Sequence, residues 1–283
     1  MADKKISIEE LLGKVGSLPS MPLVAQKALK IIQDSNSNMK DLANVIKLDQ
    51  AMSSLILRWV NSGYYSLRHN FISIESAITY LGQRTVQNLV LSASLASFMN
   101  KPIPGYDLRK GELWKRSVGM AAGARLIIER IEPRLAEDAY YTGLFCDIGK
   151  LAFEVLLQEK NLDIEMMANK SFDQFEKDTF GYDHALVGAE IVKSWKLPDG
   201  LAKIIQYHHT PEMVKEDQKL LAYSVHAADA IMMMFGIGTG VDAMQYRLSP
   251  ETGQILKWDS GSIPLIFDQL LPIIDEASNF ISL

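Results

Sequence analysis

Apolar residues return every third or fourth position along almost the whole of this chain, and no stretch alternates strictly between apolar and polar. That repeat marks one face of an α-helix, whereas a half-buried strand repeats every second residue. Met52, Leu55, Ile56, Trp59 and Val60 form one such face, with Asp49 placed to cap the helix that carries them. Upstream, Asn38 is placed to cap a short helix bearing Leu42, Val45 and Ile46, and Asp41 falls in its first turn, where a carboxylate suits the helix dipole. Pro22 opens an earlier helix that Ser35-Asn36-Ser37 ends. Ser73 begins another that stops at Gly82, and a longer one follows over 85–98. The pattern predicts further helices at 112–131, 136–148, 172–179, 184–195, 201–209, 219–234 and 264–280.

The clearest interruption is Lys101-Pro102-Ile103-Pro104-Gly105, where two prolines and a glycine cannot continue a helix. It divides an N-terminal helical lobe, 1–100, from a second lobe with a C-terminal helical extension, 101–283. With 48% hydrophobic and 22% charged residues, 283 residues can bury cores for two such lobes. The predicted class is all-α, two helical lobes packed together. A net charge of −5 gives no overall attraction to phosphate backbones or anionic lipid. Residues 41–61 have the two-helix rhythm of a DNA-reading motif. Asp41, Lys47 and Asp49 leave it nearly neutral, however, and Arg58 is the one base of its second helix, which argues against nucleic acid. The most membrane-like stretch, 220–241, contains His226 and Asp229 and ends in Gly236-Ile237-Gly238, so it reads as a buried helix and no membrane span is predicted. Its Met232-Met233-Met234 run fits core filling better than an adaptable binding surface. One cysteine, Cys146, excludes an intramolecular disulfide and a Cys-only zinc site. Together with the polar residues that follow Met1-Ala2-Asp3-Lys4-Lys5, it points to a reducing cytoplasm.

Four of the five histidines lie between His184 and His226, interleaved with Asp147 and Asp229. Imidazole and carboxylate together are the usual ligands of zinc, iron and manganese. His208 and His209 fall on a predicted helix about 100° apart, a strained arrangement for binding one ion together. His226 and Asp229 share a helix face at i and i+3. By residue type alone these groups suit polar satisfaction inside a helical core about as well as metal binding. Tyr64, Tyr65, Arg68 and His69 follow the Asn61-Ser62-Gly63 turn and form a candidate contact loop for a nucleotide or a protein partner.

Several ordered segments carry a resemblance. Gly143-Leu144-Phe145-Cys146-Asp147-Ile148-Gly149-Lys150 resembles the G-L-[LF]-H-D-I-G-K segment of the HD phosphohydrolase superfamily. Phe180 to Ala189 is similar to its helical histidine segment, Trp195-Lys196-Leu197-Pro198 and His208-His209-Thr210-Pro211 to its W-x-L-P and paired-histidine segments, and His226-Ala227-Ala228-Asp229 to its late aspartate. Leu18-Pro19-Ser20-Met21-Pro22, Leu57-Arg58-Trp59-Val60-Asn61-Ser62 and Ala77-Ile78-Thr79-Tyr80-Leu81-Gly82 resemble marks of the HDOD branch (HD-related output domain). The chain is thus identified as a member of that degenerate branch of the HD and HD-GYP metal-dependent phosphohydrolases.

The resemblance implies an HD-like second lobe and a regulatory module of bacterial signal transduction, whose partners would be signalling proteins and whose pocket would take at most a small nucleotide ligand. No companion receiver or cyclic-dinucleotide domain is visible. Asp147, His184, His208, His209 and Asp229 match ligand or near-ligand positions, but Arg116 and Cys146 stand where the superfamily has histidines. Arginine cannot ligate a cation, so the expectation is a degenerate site without a cofactor, in which Arg116 replaces the metal and pairs with Asp147 or Asp229. A non-catalytic module is the first reading, a metal-dependent phosphohydrolase or cyclic-nucleotide phosphodiesterase the second, and a DNA-binding regulator the third.

Overall fold

The computed structural model describes residues 38–61, 70–160, 170–241, 248–259 and 261–281, with isolated positions between 23 and 31. Among these the chain is helical: α1 Met39–Lys47, α2 Gln50–Val60, α3 Ile74–Leu81, α4 Gln83–Met99, α5 Glu112–Glu129, α6 Ala136–Phe145, α7 Gly149–Lys160, α8 Phe172–Phe180, α9 His184–Ser194, α10 Asp199–Gln206, α11 Lys219–Met234, α12 Thr252–Ile255 and α13 Ser262–Ile281. The one β pairing among the described residues is an isolated bridge between Ile103 and Leu108.

The polar punctuation sets the helix starts. Asn38 accepts from the N–H groups of Lys40 and Asp41 at 2.9 and 3.2 Å, while Asp41 accepts from the Asn38 N–H at 3.0 Å, which closes a reciprocal capping box on α1. Asp49 caps α2 through the Met52 N–H, Ser73 caps α3 through Ser76, and Asp183 caps α9 through Leu186. Gly82, at φ 81, turns the chain from α3 directly into α4 in a conformation that glycine adopts without steric penalty. Asn61 explains its place in the Leu57–Ser62 segment, because its side-chain amide grips both the N–H and the carbonyl of Phe71 at 2.7 and 2.8 Å.

The Pro-rich break after α4 becomes a short 3-10 turn, Pro104–Tyr106, in front of α5. A single apolar cluster nonetheless runs from Leu42 and Ile46 through α5 to Ile274 and Ala277. Trp59 meets Trp114 edge to face across it, with ring centroids 5.6 Å apart. The central element is α5. It packs against α6, α11 and α13, and Trp114 Nε1 donates to the Ala277 carbonyl at 3.0 Å to fix α13 beside it.

Two expected helix bounds are corrected, and one helix is added. The helix after Ala136 ends at Phe145, and residues 146–148 form a tight turn into a further helix, α7, that the periodicity did not mark. The helix expected to carry His208 and His209 stops at Gln206. Its last turn closes with the Tyr207 N–H on the carbonyls of Lys203 and Ile204, and His208 Nδ1 reaches the Ile205 carbonyl at 2.7 Å, a side-chain bond that competes with helix propagation. Among the described residues, no helix is long and apolar enough to cross a membrane. Of the methionine run on α11, Met232 is buried, Met233 lays its sulfur against Arg116, and Met234 is exposed.

Candidate functional site

Two glycines bring the site together. A Cβ on Gly143 of α6 would sit 2.7 Å from the Met120 carbonyl oxygen and 2.9 Å from Ala121 Cα, so α6 can lie this close to α5 only with glycine there. A Cβ on Gly149 would overlap the His184 carbonyl oxygen and stand 2.7 Å from the Gly188 nitrogen, which sets α7 against α9 in the same way. The turn between these glycines carries Asp147 into the gap, facing α5 on one side and α9 on the other.

Arg116 reaches that gap from α5. Its Nε donates to Asp147 Oδ2 at 2.6 Å, and its Nη2 donates to Asp229 Oδ1 from α11. All three side chains are wholly buried. Lys150, also buried, lies 3.1 Å from Asp147 Oδ1 and over the ring of Tyr106. On the far side of the two carboxylates stand the imidazoles: His184 Nε2 is 3.6 Å from Asp147 Oδ1, and His209 Nδ1 is 3.5 Å from Asp229 Oδ2. His209 Nε2 meets His184 Nε2 at 3.0 Å.

Ending α10 early thus changes the reading of the adjacent pair. From the turn, His208 and His209 both face His184, and ligand nitrogens of the three lie within 4.8 Å of one another. These are the residues that could hold a divalent ion. His208 donates from Nδ1 to Ile205, so its Nε2 carries the lone pair, and that buried atom has no hydrogen-bond partner among the described residues. His226 does not join them. Its Nδ1 donates to the His208 carbonyl at 2.8 Å and its Nε2 accepts the Ser249 N–H at 2.9 Å, so it anchors the histidine turn to the segment before α12. Nor does Cys146 present a thiolate, because its Sγ is bonded to the Thr142 carbonyl and burial pushes the thiol well above its ordinary pKa. Tyr64, Tyr65, Arg68 and His69, the candidate contact loop, lie outside the described residues.

Sequence reasoning passed over Glu176. The carboxylate is fully buried on α8, where Oε2 accepts from the His184 backbone N–H at 2.8 Å and meets Nδ1 at 2.7 Å, while Oε1 accepts from the Tyr106 hydroxyl. A signal existed: Glu176 sits in the apolar stripe of Phe172, Phe175 and Phe180, where an acid needs a partner.

The charges are strongly coupled. Burial would lower the pKa of His184, but the Glu176 carboxylate and its hydrogen bond overcome that and hold the imidazole up at about 9. At neutral pH His184 therefore donates to Glu176 from Nδ1 and to His209 from Nε2. Burial lowers His208, His209 and His226, so these stay neutral. Burial would raise Asp147, yet Lys150, Arg116 and His184 hold it well below the usual carboxylate range.

These shifts predict a two-sided pH profile. A histidine whose folded pKa is raised stabilises the fold below its unfolded value of ~6.5 and loses that contribution as pH rises through the folded value. Histidines whose pKa is lowered act in the opposite sense, and stability falls below pH ~6.5 as the unfolded chain takes up protons more readily. The thermal midpoint should therefore peak between these limbs. Glu176→Gln should flatten the alkaline limb while leaving the acid limb in place, as thermal melts from pH 5 to 9.5 will show. An unchanged alkaline limb in Glu176→Gln would separate it from His184.

Residues 18–211 match the HDOD domain family. An uncharacterized protein of Treponema pallidum (strain Nichols) is 25% identical over 227 residues, which is 79% of this chain but 43% of the relative, so the chain spans less than half of that protein's length. An HDOD domain protein of unknown function from Geobacter sulfurreducens superposes with a TM-score of 0.73 at 24% identity, over 97% of this chain and 95% of that one. A candidate phosphohydrolase of Shewanella amazonensis SB2B gives 0.72 at 23% identity over 96% and 97% of the two chains. A candidate signal transduction protein of Marinobacter aquaeolei VT8 gives 0.72 at 19% identity, over 96% of this chain and 61% of that one. At such identities the likeness extends to the fold alone.

Proposed function

The chain belongs to the HDOD domain family, and on that premise we propose that it is a non-catalytic regulatory module that works through contacts with signalling proteins, its HD-type pocket closed by internal ion pairs instead of a metal. One observation carries the non-catalytic part of this reading: the buried Arg116 guanidinium binds Asp147 and Asp229 at once. Arginine stays protonated in proteins, so its charge is permanent.

Charge balance supports the same conclusion. Arg116 and Lys150 offset Asp147 and Asp229, and protonated His184 offsets Glu176. A divalent ion would enter this closed account as excess charge. Two like unit charges ~4 Å apart repel by about 4 kcal/mol at an effective dielectric near 20, and an ion of charge two doubles that. An ion would also have to displace the proton that Glu176 holds on His184. The residues present therefore do not fit an HD-type metal. Water activation in this chemistry depends on the bound ion.

A second reading, metal-dependent hydrolysis, is favoured by one observation, the convergence of His184, His208 and His209. Metal titration separates the two. Wild-type protein with manganese or zinc should bind less than one ion per chain by elemental analysis, shift its thermal midpoint little, and leave nucleotides and cyclic dinucleotides intact. The double variant Arg116→His with Cys146→His restores imidazoles at both positions and should gain about 2.7 kcal/mol when the ion is at a hundred times its dissociation constant. Tight stoichiometric metal in the wild type, with turnover that Asp147→Ala abolishes, would make the chain an enzyme.

A further inference from the structure

A cavity of about 280 Å³ opens where the C-terminal end of α5 meets the turn between α12 and α13. Ile127 and Leu256 contribute buried apolar surface, Trp258 is half-buried, and Arg130 and Lys257 are exposed, so the cavity grades from an apolar interior to a cationic mouth. No carboxylate lines it. Arg130 Nη2 donates to Gln269 Oε1 at 3.0 Å, which steadies the guanidinium.

Lys257 has an unusual backbone. The Trp258 N–H bonds the Gly253 carbonyl at 2.9 Å and the Lys257 N–H bonds the Gln254 carbonyl at 3.3 Å, the paired bonds by which a helix ends through a left-handed residue. Glycine is the usual occupant of that position, yet here, as at Lys196 after α9, it is a lysine, at φ 53. The local fold is thus less stable than it would be with glycine, and what the lysine adds is a cation at the cavity mouth.

We propose that this cavity binds a small aromatic anion, with its ring against Trp258 and the apolar interior and its phosphate or carboxylate between Arg130 and Lys257. Indole faces stack on flat rings, and guanidinium and ammonium groups together hold an anionic group. Its lining divides about evenly between polar and apolar surface, which suits a ligand that is itself half ring and half anion. The site shares no residue with the histidine pocket, and Leu256, Lys257, Trp258 and Ser262 lie beyond the 18–211 match, so it stands independently of the function proposed above.

Calorimetric titration of the full chain with adenosine monophosphate, benzoate and inorganic phosphate tests this. One of the two aromatic probes should bind one to one and at least about tenfold more tightly than inorganic phosphate. Preference for the nucleotide would identify a phosphate ligand, and preference for benzoate a carboxylate. Lys257→Gly should weaken that binding about fivefold or more while the thermal midpoint holds or rises, since glycine suits the turn better. Trp258→Leu should weaken it about tenfold. Absence of binding by either aromatic probe, phosphate binding as tight as theirs, or wild-type affinity in a folded Lys257→Gly variant would each overturn the assignment.

Discussion

Arg116→Ala should destabilise the protein by ~3–5 kcal/mol, the usual effect of removing one partner from a buried ion pair. On the scale of domains this size, that lowers the thermal midpoint by about 10 °C. The reason lies in what is left behind. Asp147 would retain Lys150 at 3.1 Å, but Asp229 would lose the Nη2 donor that reaches its Oδ1. A carboxylate that is wholly buried has no water to replace that donor, and its desolvation then counts in full against the fold. The vacated volume adds a cavity term in the same direction. Two variants separate these contributions. Arg116→Met keeps much of the volume and removes the charge, so it should be nearly as damaging as alanine if the ion pairs dominate. Arg116→Ala with Asp229→Asn removes the orphaned charge and should recover part of the loss, a coupling that a double-mutant cycle measures directly. A change within ~0.5 kcal/mol for Arg116→Ala, as is ordinary for exposed positions, would mean that the guanidinium lies elsewhere.

Much of this arrangement was legible before any coordinates, and the limits have physical causes. Helix starts were readable because Asn38, Asp49 and Ser73 act on N–H groups two or three residues away, so the signal is local. Helix α7 escaped notice because it opens at Gly149, a poor helix former that is there to clear the α9 backbone, with no capping side chain to announce it. Residues 201–209 read as continuous helix because nothing in the spacing shows His208 bonding back to Ile205. The meeting of Arg116 with Asp147 and Asp229 joins positions 31 and 113 residues apart, a separation that periodicity cannot bridge. Only the register supplied by the ordered motifs placed these residues in one pocket. Glu176 lay outside those motifs, and its position among phenylalanines was the one clue to it.

Gly149→Ala should be the other severe substitution, at about 3 kcal/mol, the upper end of the usual range for overpacking a core. A Cβ there would overlap the His184 carbonyl oxygen and stand 2.7 Å from the Gly188 nitrogen. Both neighbours are backbone atoms of α9, so no side-chain rotation can relieve the contact; α7 or α9 has to move. Movement of α9 carries His184 with it, away from Glu176 and Asp147. The variant should therefore lose the alkaline limb of the pH–stability profile as well as stability, an outcome that a purely local clash would not produce. Two other glycines calibrate the effect. Gly82 has nothing within 4 Å of a built Cβ but holds φ 81 and ψ 168, a region essentially reserved to glycine, so alanine there meets backbone strain alone, on the order of 2 kcal/mol. Gly253 has open space and an ordinary φ inside α12, so Gly253→Ala should be neutral or mildly stabilising. Denaturant melts of the three variants should then rank Gly149→Ala below Gly82→Ala, and Gly82→Ala below Gly253→Ala. If Gly149→Ala proved no worse than Gly82→Ala, the α7–α9 contact would be more yielding than its geometry implies, and it would no longer explain how Asp147 and His184 are held 3.6 Å apart.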